Sequence, residues 1–500
     1  MLLNSMDFLI FFPVVVLVYF IIPRKIRHIW LLLSSYYFYM CWNPLYGCIL
    51  LGVTGVTYGG GIAVEALWKE RGAEESSKKA RVVLIVCILG VLGVLSYFKY
   101  TNFFIETVNT VLDRINMRGI RRFDIVLPIG ISFYTLTAIG YIVDVYKRKC
   151  STEKNFLRYA LFVSFFPQIL SGPIERSGNL LKQLREDDDN RQWNHERVVS
   201  GLITMLWGFF VKMVIADRIA VLADTAFGNY ESYGMIGLGI GAVSYGIQIY
   251  CDFYSYSTIA LGAARVLGFE LIHNFDSPYF ALSVSEFWRR WHISLSRWLR
   301  DYIYIPLGGN RHGKWKQYRN ILLTFTVSGL WHGANWTFII WGMLHGIYQI
   351  IEKEITPVVR KINARCNTKT SSFGYKFTKA AVTFALVDFA WIFFRAESLG
   401  HALHYIERMF RYQDWWSLFD QSIYTMGLDV REIHILAIGL LGLLGADILQ
   451  YLKKKSVAEF LTEQWIVFRW GVLFVMIAGC VIFGYYGPGF DSAQFIYLQF

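Results

Sequence analysis

The sequence predicts an all-α polytopic membrane protein, on its composition, the length of its apolar blocks and the placement of its positive charge. Of the 500 residues, 55% are hydrophobic and 17% charged, too few charges to coat a soluble protein of this size. The apolar residues come in blocks on the scale of the roughly 20 residues a helix needs to cross hydrocarbon. These blocks fall at 7–22, 29–66, 82–98, 126–146, 199–216, 233–250, 320–351, 377–394, 434–451 and 467–486. About eleven transmembrane or re-entrant helices are expected from them. The formal charge of +12 is spread over short stretches between blocks, with no basic tail. That is the loop bias of a membrane protein and argues against a nucleic-acid partner.

The first block is read as a retained helix. Met1 to Asp7 contains no basic residue, and no small-residue cleavage site follows. Basic clusters at Pro23–His28, Lys69–Arg81 and Lys147–Lys149 are each separated from the last by two apolar passes. Placing them in the cytoplasm puts the N-terminus outside. Trp, Tyr and Phe make up 17% of the chain, and many sit at block ends, as interfacial anchors do. The 7 cysteines show neither metal-ligand spacing nor a disulfide framework, so they are read as packing residues. No fixed-period repeat and no linker divides the chain, which predicts one membrane domain over 1–500. The polar loops near 69–81, 185–197 and 355–374 are expected in solvent, with Glu186–Asp189 as a solvated turn.

Two stretches depart from plain apolar spans by mixing Pro, Gly and charge with apolar sequence: Ser164–Arg176 and Glu286–Asp301. Irregular or charged backbone at membrane depth is tolerated where protein covers it or where it lines a water-filled cavity. Both are therefore expected to wall an internal funnel. In the second, Arg289, Arg290, His292, Arg297 and Arg300 interleave with Trp288, Trp291 and Trp298. Two readings stand, a phosphate-binding wall or an interfacial helix anchored on anionic headgroups.

The sharpest local feature is Thr326–Thr337. On a helix, Ser328, Gly329, His332 and Asn335 form one small or polar strip on an apolar cylinder. An ionisable group inside the bilayer suggests function, with Gly329 and Gly333 clearing space beside His332 for a ligand. The alternative is a Gly-x-x-x-Gly helix contact with a hydrogen-bonded core histidine. His345 is the rival. On a continuous helix it lies more than half a turn away from His332 and about 20 Å along the axis, which predicts a structural or tunnel-mouth role. Asp252 and Asp144 are read as structurally paired acids, and Glu175 and Arg176 as neighbours that neutralise one another.

Taken together, several long motifs in order resemble the membrane-bound O-acyltransferase (MBOAT) family, in its bacterial branch acting on cell-envelope polymers. They are Leu32–Tyr39, Ser96–Tyr100, Leu127–Tyr134, Phe287–Ser296, Pro306–Arg311 and Leu330–Asn335. The resemblance implies a helical ring with a thin centre and opposed funnels. It also implies His332 as the catalytic histidine and His292 as a second characteristic one. Trp331, Asn335, Ser328, Arg289, Arg290 and Arg300 are the substrate-binding candidates. No bound cofactor or metal is implied. The donor is an acyl thioester, acetyl-CoA, acting as a substrate.

The C-terminal Phe495–Phe500 resembles an aromatic tail signature of this branch. That implies Tyr497 as a covalent acyl shuttle, with His332 as its general base and an extracellular SGNH-hydrolase-like transferase as the partner. Leu498 departs from the aromatic residue expected there, and the alternative is a frayed aromatic tail resting at the interface. Transfer of a proton from tyrosine to histidine is uphill by close to 5 kcal/mol from their ordinary pKa values, so it must accompany attack on the thioester. Two competitors are a transporter or flippase without bond chemistry and an MBOAT enzyme acylating a lipid or protein directly.

Overall fold

The computed structural model describes residues 1–69, 73–186 and 192–486. Tyr497, with the tail 487–500, and the acidic residues Asp187–Asp189 lie outside them. Among the described residues all regular elements are helical. Six helices are long and apolar enough to cross a membrane: Pro44–Lys69, Glu74–Arg114, His195–Gly228, Phe373–Arg395, Val430–Lys453 and Ile466–Phe483. Three shorter apolar ones are Met6–Ile21, Ile131–Tyr146 and Phe156–Ile169. The expected blocks at 233–250 and 320–351 form long helices, Met235–Leu267, Lys314–His332 and Trp336–Arg365, which are too polar to stand among the six. Within them Asp252, Ser255, Ser328, His332, Thr337 and His345 are buried in the protein.

Two compact units divide the chain. The first comprises Met1–Leu202 with Ala260–Ile272. Here Ser5 caps Met6–Ile21 by accepting from the Phe8 amide. Phe11 packs edge-on against Phe166, 5.4 Å between ring centres. The stretch Ser164–Arg176 is covered by protein, and several of its polar groups bond internally. The Phe166 amide donates to Ser35 Oγ (3.1 Å) and Gln168 Nε2 to the Phe162 carbonyl (2.8 Å). Glu175 is not simply neutralised by its neighbour. Its carboxylate accepts from the Ile272 amide (2.7 Å) and from Asn179 Nδ2 (2.8 Å), so it clips two backbone segments together. Asp144 accepts from Ser177 Oγ at 3.2 Å.

The second unit comprises Ile203–Ile259 and the chain from His273 onward. The π-helical turn Val211–Ala216 carries Lys212, which pairs with Asp217 at 2.8 Å and with Asp252. All three are buried, so each charge is held by its partners rather than by water. Asp252 is thus a structural pair, as expected.

The block 320–351 is not one helix. Lys314–His332 ends at His332, and Trp336–Arg365 begins after Asn335, whose Oδ1 accepts from the Thr337 amide at 3.1 Å as an N-cap. The two helices fold into a hairpin with backbones in contact. A Cβ on Gly329 would stand 2.2 Å from the Phe338 carbonyl oxygen, and one on Gly342 2.2 Å from that of Phe325. Gly329 therefore serves helix packing, the small-residue contact, and does not clear room for a ligand. Gly333 is likewise filled, by the Phe338 ring.

Candidate functional site

The site is assembled from three sequence segments of the second unit. Ser283 caps the seven-residue helix Val284–Arg290, and its Oγ accepts from the Glu286 amide. The chain then extends through Trp291 and turns at His292, whose φ of 41° lies in the left-handed region. A non-glycine residue there costs on the order of 1–3 kcal/mol unless its surroundings fix it. Asn274 does so. Its carbonyl accepts from the Ile293 amide at 3.0 Å, its Oδ1 from Ser294 Oγ at 2.6 Å, and its Nδ2 donates to Ser257 Oγ at 3.2 Å. Asn274 is a functional candidate that sequence reasoning missed, because it is 18 positions from His292 and carries no local signal.

His292 and His332 are brought together. Both are buried, and their ring centres lie 6.4 Å apart. Phe253 stands edge-on to His292 at 4.6 Å. Trp331, Trp341 and Phe394 surround His332 at 4.8, 5.1 and 5.3 Å. His332 closes the last turn of its helix. One turn earlier, Ser328 is buried and its hydroxyl meets no hydrogen-bond partner among the described residues. Asn335 leaves the expected strip. As the cap of the next helix it also donates from Nδ2 to the Glu397 carbonyl (2.8 Å), because the helix that would have aligned it with His332 has already ended.

The same break overturns the expected separation of His345 from His332. The chain reverses between them, and both rings lie 5.1 Å from Trp341. The two histidines flank one tryptophan.

The segment Glu286–Asp301 is not an interfacial helix. Trp288, Trp291 and Trp298 are buried, and the two short helices turn different residues outward. Arg290 is engaged within the protein, donating to Glu286 (2.9 Å) and to the Asp276 carbonyl (3.0 Å). Arg289, Arg297 and Arg300 instead line a cavity of about 930 Å³ together with Lys353 and Arg360. Glu352 is the carboxylate among its lining residues, and Trp288, Ile293 and Phe325 supply apolar wall. Ser164–Arg176 contributes none of that lining.

One face of Trp336–Arg365 links the cavity to His332. Gln349, Lys353, Thr356 and Arg360 line the cavity, while His345 and Trp341 follow at four-residue steps toward His332. Residues four apart share a helix face, so this row joins the cavity lining to the rings packed around His332. The cation-rich rim suits phosphates, which accept bidentate guanidinium contacts. Among the described residues no cluster of His, Cys, Asp and Glu has the makings of a metal site.

Comparison with known proteins gives a consistent picture. Residues 147–383 match the model of MBOAT, the membrane-bound O-acyltransferase family. The chain is 38% identical over 408 residues to the probable alginate O-acetylase AlgI of Pseudomonas aeruginosa, covering 81% of this chain and 74% of that one. It is 35% identical over 428 residues to the peptidoglycan O-acetyltransferase of Helicobacter pylori, covering 80% and 77%. A teichoic acid D-alanyltransferase of Streptococcus thermophilus is 32% identical over 240 residues, 45% of this chain and 56% of that one.

Proposed function

This multi-pass membrane protein belongs to the membrane-bound O-acyltransferase family, and from that membership we propose that it moves an acetyl group from cytoplasmic acetyl-CoA to the extracellular side of a bacterial plasma membrane. The final acceptor is a hydroxyl of a cell-envelope polymer or exopolysaccharide. The names of the relatives, an alginate O-acetylase and a peptidoglycan O-acetyltransferase, support that acceptor class. The observation that carries the reading is the polar helix face running from the cationic cavity to a buried pair of histidines.

The donor's phosphates sit among Arg289, Arg297, Arg300, Lys353 and Arg360, where charge-assisted hydrogen bonds are worth about 1.5–3 kcal/mol each. This end of the unit is also rich in Arg311, Lys314, Lys316, Arg319, Lys361 and Arg365, which supports a cytoplasmic mouth. The thioester then lies along the row toward Trp341 and His332. His332 accepts the proton of the attacking hydroxyl as a carbon–oxygen bond forms at the thioester carbon. It returns that proton to the departing thiolate, so His332 ends as it began. His292, fixed by Asn274, lines the same site. Tyr497 on an extracellular tail is the first acceptor, and an SGNH-hydrolase-like transferase carries the acetyl group onward to the polymer.

The test uses the full chain in proteoliposomes supplied with isotopically labelled acetyl-CoA. Mass spectrometry of the C-terminal peptide is expected to find a labelled acetyl group that is lost in Tyr497→Phe. Unlabelled wild-type peptide during active transfer overturns the shuttle and leaves direct acylation of the acceptor.

A further inference from the structure

His345 and Trp341 have a chemical property that the proton transfer through His332 does not use. Both side chains are fully buried, at 0% exposure. The indole Nε1–H of Trp288 donates to His345 Nδ1 at 3.2 Å. An indole nitrogen only donates, so Nδ1 holds a lone pair and the proton of the neutral imidazole is on Nε2. That Nε2 meets no acceptor among the described residues. The Nε1–H of Trp341 meets none either. Buried donors are ordinarily satisfied, and each exception asks for an explanation. Here two occur one helical turn apart, on the same face of Trp336–Arg365, in rings 5.1 Å from each other. One of the two rings is also 5.1 Å from His332.

From this arrangement we infer that His345 Nε2–H and Trp341 Nε1–H are the donors that receive the thioester carbonyl oxygen as it becomes an oxyanion. The inference rests on the acyl-transfer reading above and deepens it. When the acceptor oxygen bonds to the carbonyl carbon, the π electrons of the C=O bond move onto its oxygen. The two N–H groups stabilise that charge without reorganising, because packing already fixes both rings. When the C=O bond re-forms, the carbon–sulfur bond breaks and the thiolate takes the proton held by His332. No oxidant, metal or further reactant enters. Trp288 is a positioning residue in this scheme. By occupying Nδ1 it sets the tautomer that presents Nε2–H to the substrate.

The arrangement also accounts for the order of groups along the helix. The phosphate-binding cations come first from the cavity mouth, Gln349 and then His345 follow, and Trp341 stands next to the general base. A thioester reaching His332 along this face presents its carbonyl oxygen to the two donors.

The experiment compares wild type, Trp341→Phe, His345→Leu and His345→Gln, each as full-length protein in proteoliposomes. The probes are acetyl-CoA and its dithioester, in which sulfur, a poor hydrogen-bond acceptor, replaces the carbonyl oxygen. Loss of an oxyanion donor typically lowers kcat by about 10²–10³-fold. Trp341→Phe and His345→Leu are expected to lower kcat by roughly that factor while the KM for acetyl-CoA changes less than about threefold. His345→Gln retains an amide donor near the Nε2 position and is expected to recover much of the loss. The preference for the thioester acetyl-CoA over the dithioester should be large in wild type and should shrink in the two donor-deleted variants. A purely structural role moves both substrates together and leaves that ratio unchanged.

An unchanged ratio in both variants overturns the inference and leaves the role of His332 standing. A wild type that transfers nothing from acetyl-CoA overturns the donor reading and this inference with it. If His345→Leu fails to accumulate, Trp341→Phe decides the matter by the same ratio.

Discussion

Two apolar regions of the second unit solve the bilayer problem in opposite ways. Ile466–Phe483 has a mean hydropathy of 2.4 and is only 17% buried within the protein, so its side chains are matched to lipid. The hairpin of Lys314–His332 and Trp336–Arg365 presses backbone on backbone and carries Ser328, His332, His345 and Gln349 inward. Lipid cannot satisfy such groups, and protein can. In this chain hydropathy marks the helices that protein leaves uncovered, whereas buried polar residues inside an apolar stretch mark where helices pack on protein.

Substitutions that ignore the difference should break it most visibly at the hairpin. Gly329→Leu forces a side chain against the Phe338 carbonyl and is expected to cost about 3 kcal/mol, read as a lowered thermal midpoint in detergent and poor accumulation in membranes. Arg297→Ala combined with Arg300→Ala removes two cations from the cavity rim. It should raise the KM for acetyl-CoA by roughly tenfold or more while leaving kcat nearly intact. Asn274→Ala frees the left-handed turn at His292 and is expected to lower kcat about tenfold, in line with the 1–3 kcal/mol typical of a buried group left unsatisfied. Smallest of all, Gly471→Ala on the lipid-matched helix, where an added Cβ meets nothing within 4 Å, should be neutral or stabilise by up to about 1 kcal/mol. A Gly329 variant as tolerant as the Gly471 variant would erase the distinction.

Much of this was legible in the sequence, for reasons that also explain what was not. Apolar blocks announced the helices because lipid imposes a local compositional rule. His332 stood out because an ionisable residue is rare in such a block. The chain reversal at Gly333–Asn335 escaped because the apolar run continues across it, although Asn335 before a fresh apolar run is the type of residue that caps a helix. Missing that break put His345 about 20 Å along the axis from His332, whereas the two rings flank Trp341 at 5.1 Å each. The fate of the arginines was illegible locally. Arg290 and Arg289 are adjacent, yet one is held by Glu286 and Asp276 while the other lines the cavity, and only the long-range fold separates them. Asn274 belongs to the same class, since its partners are brought to it by tertiary structure.

The central claim is that His332 is the base at the end of a donor path. The most direct measurement is the rate of labelled acetyl transfer by His332→Ala in proteoliposomes, with membrane accumulation and thermal midpoint measured on the same preparation. The account predicts a well-folded protein whose transfer rate falls by at least about 10²–10⁴-fold, the range typical of a lost general base. A folded His332→Ala that transfers at the wild-type rate contradicts it.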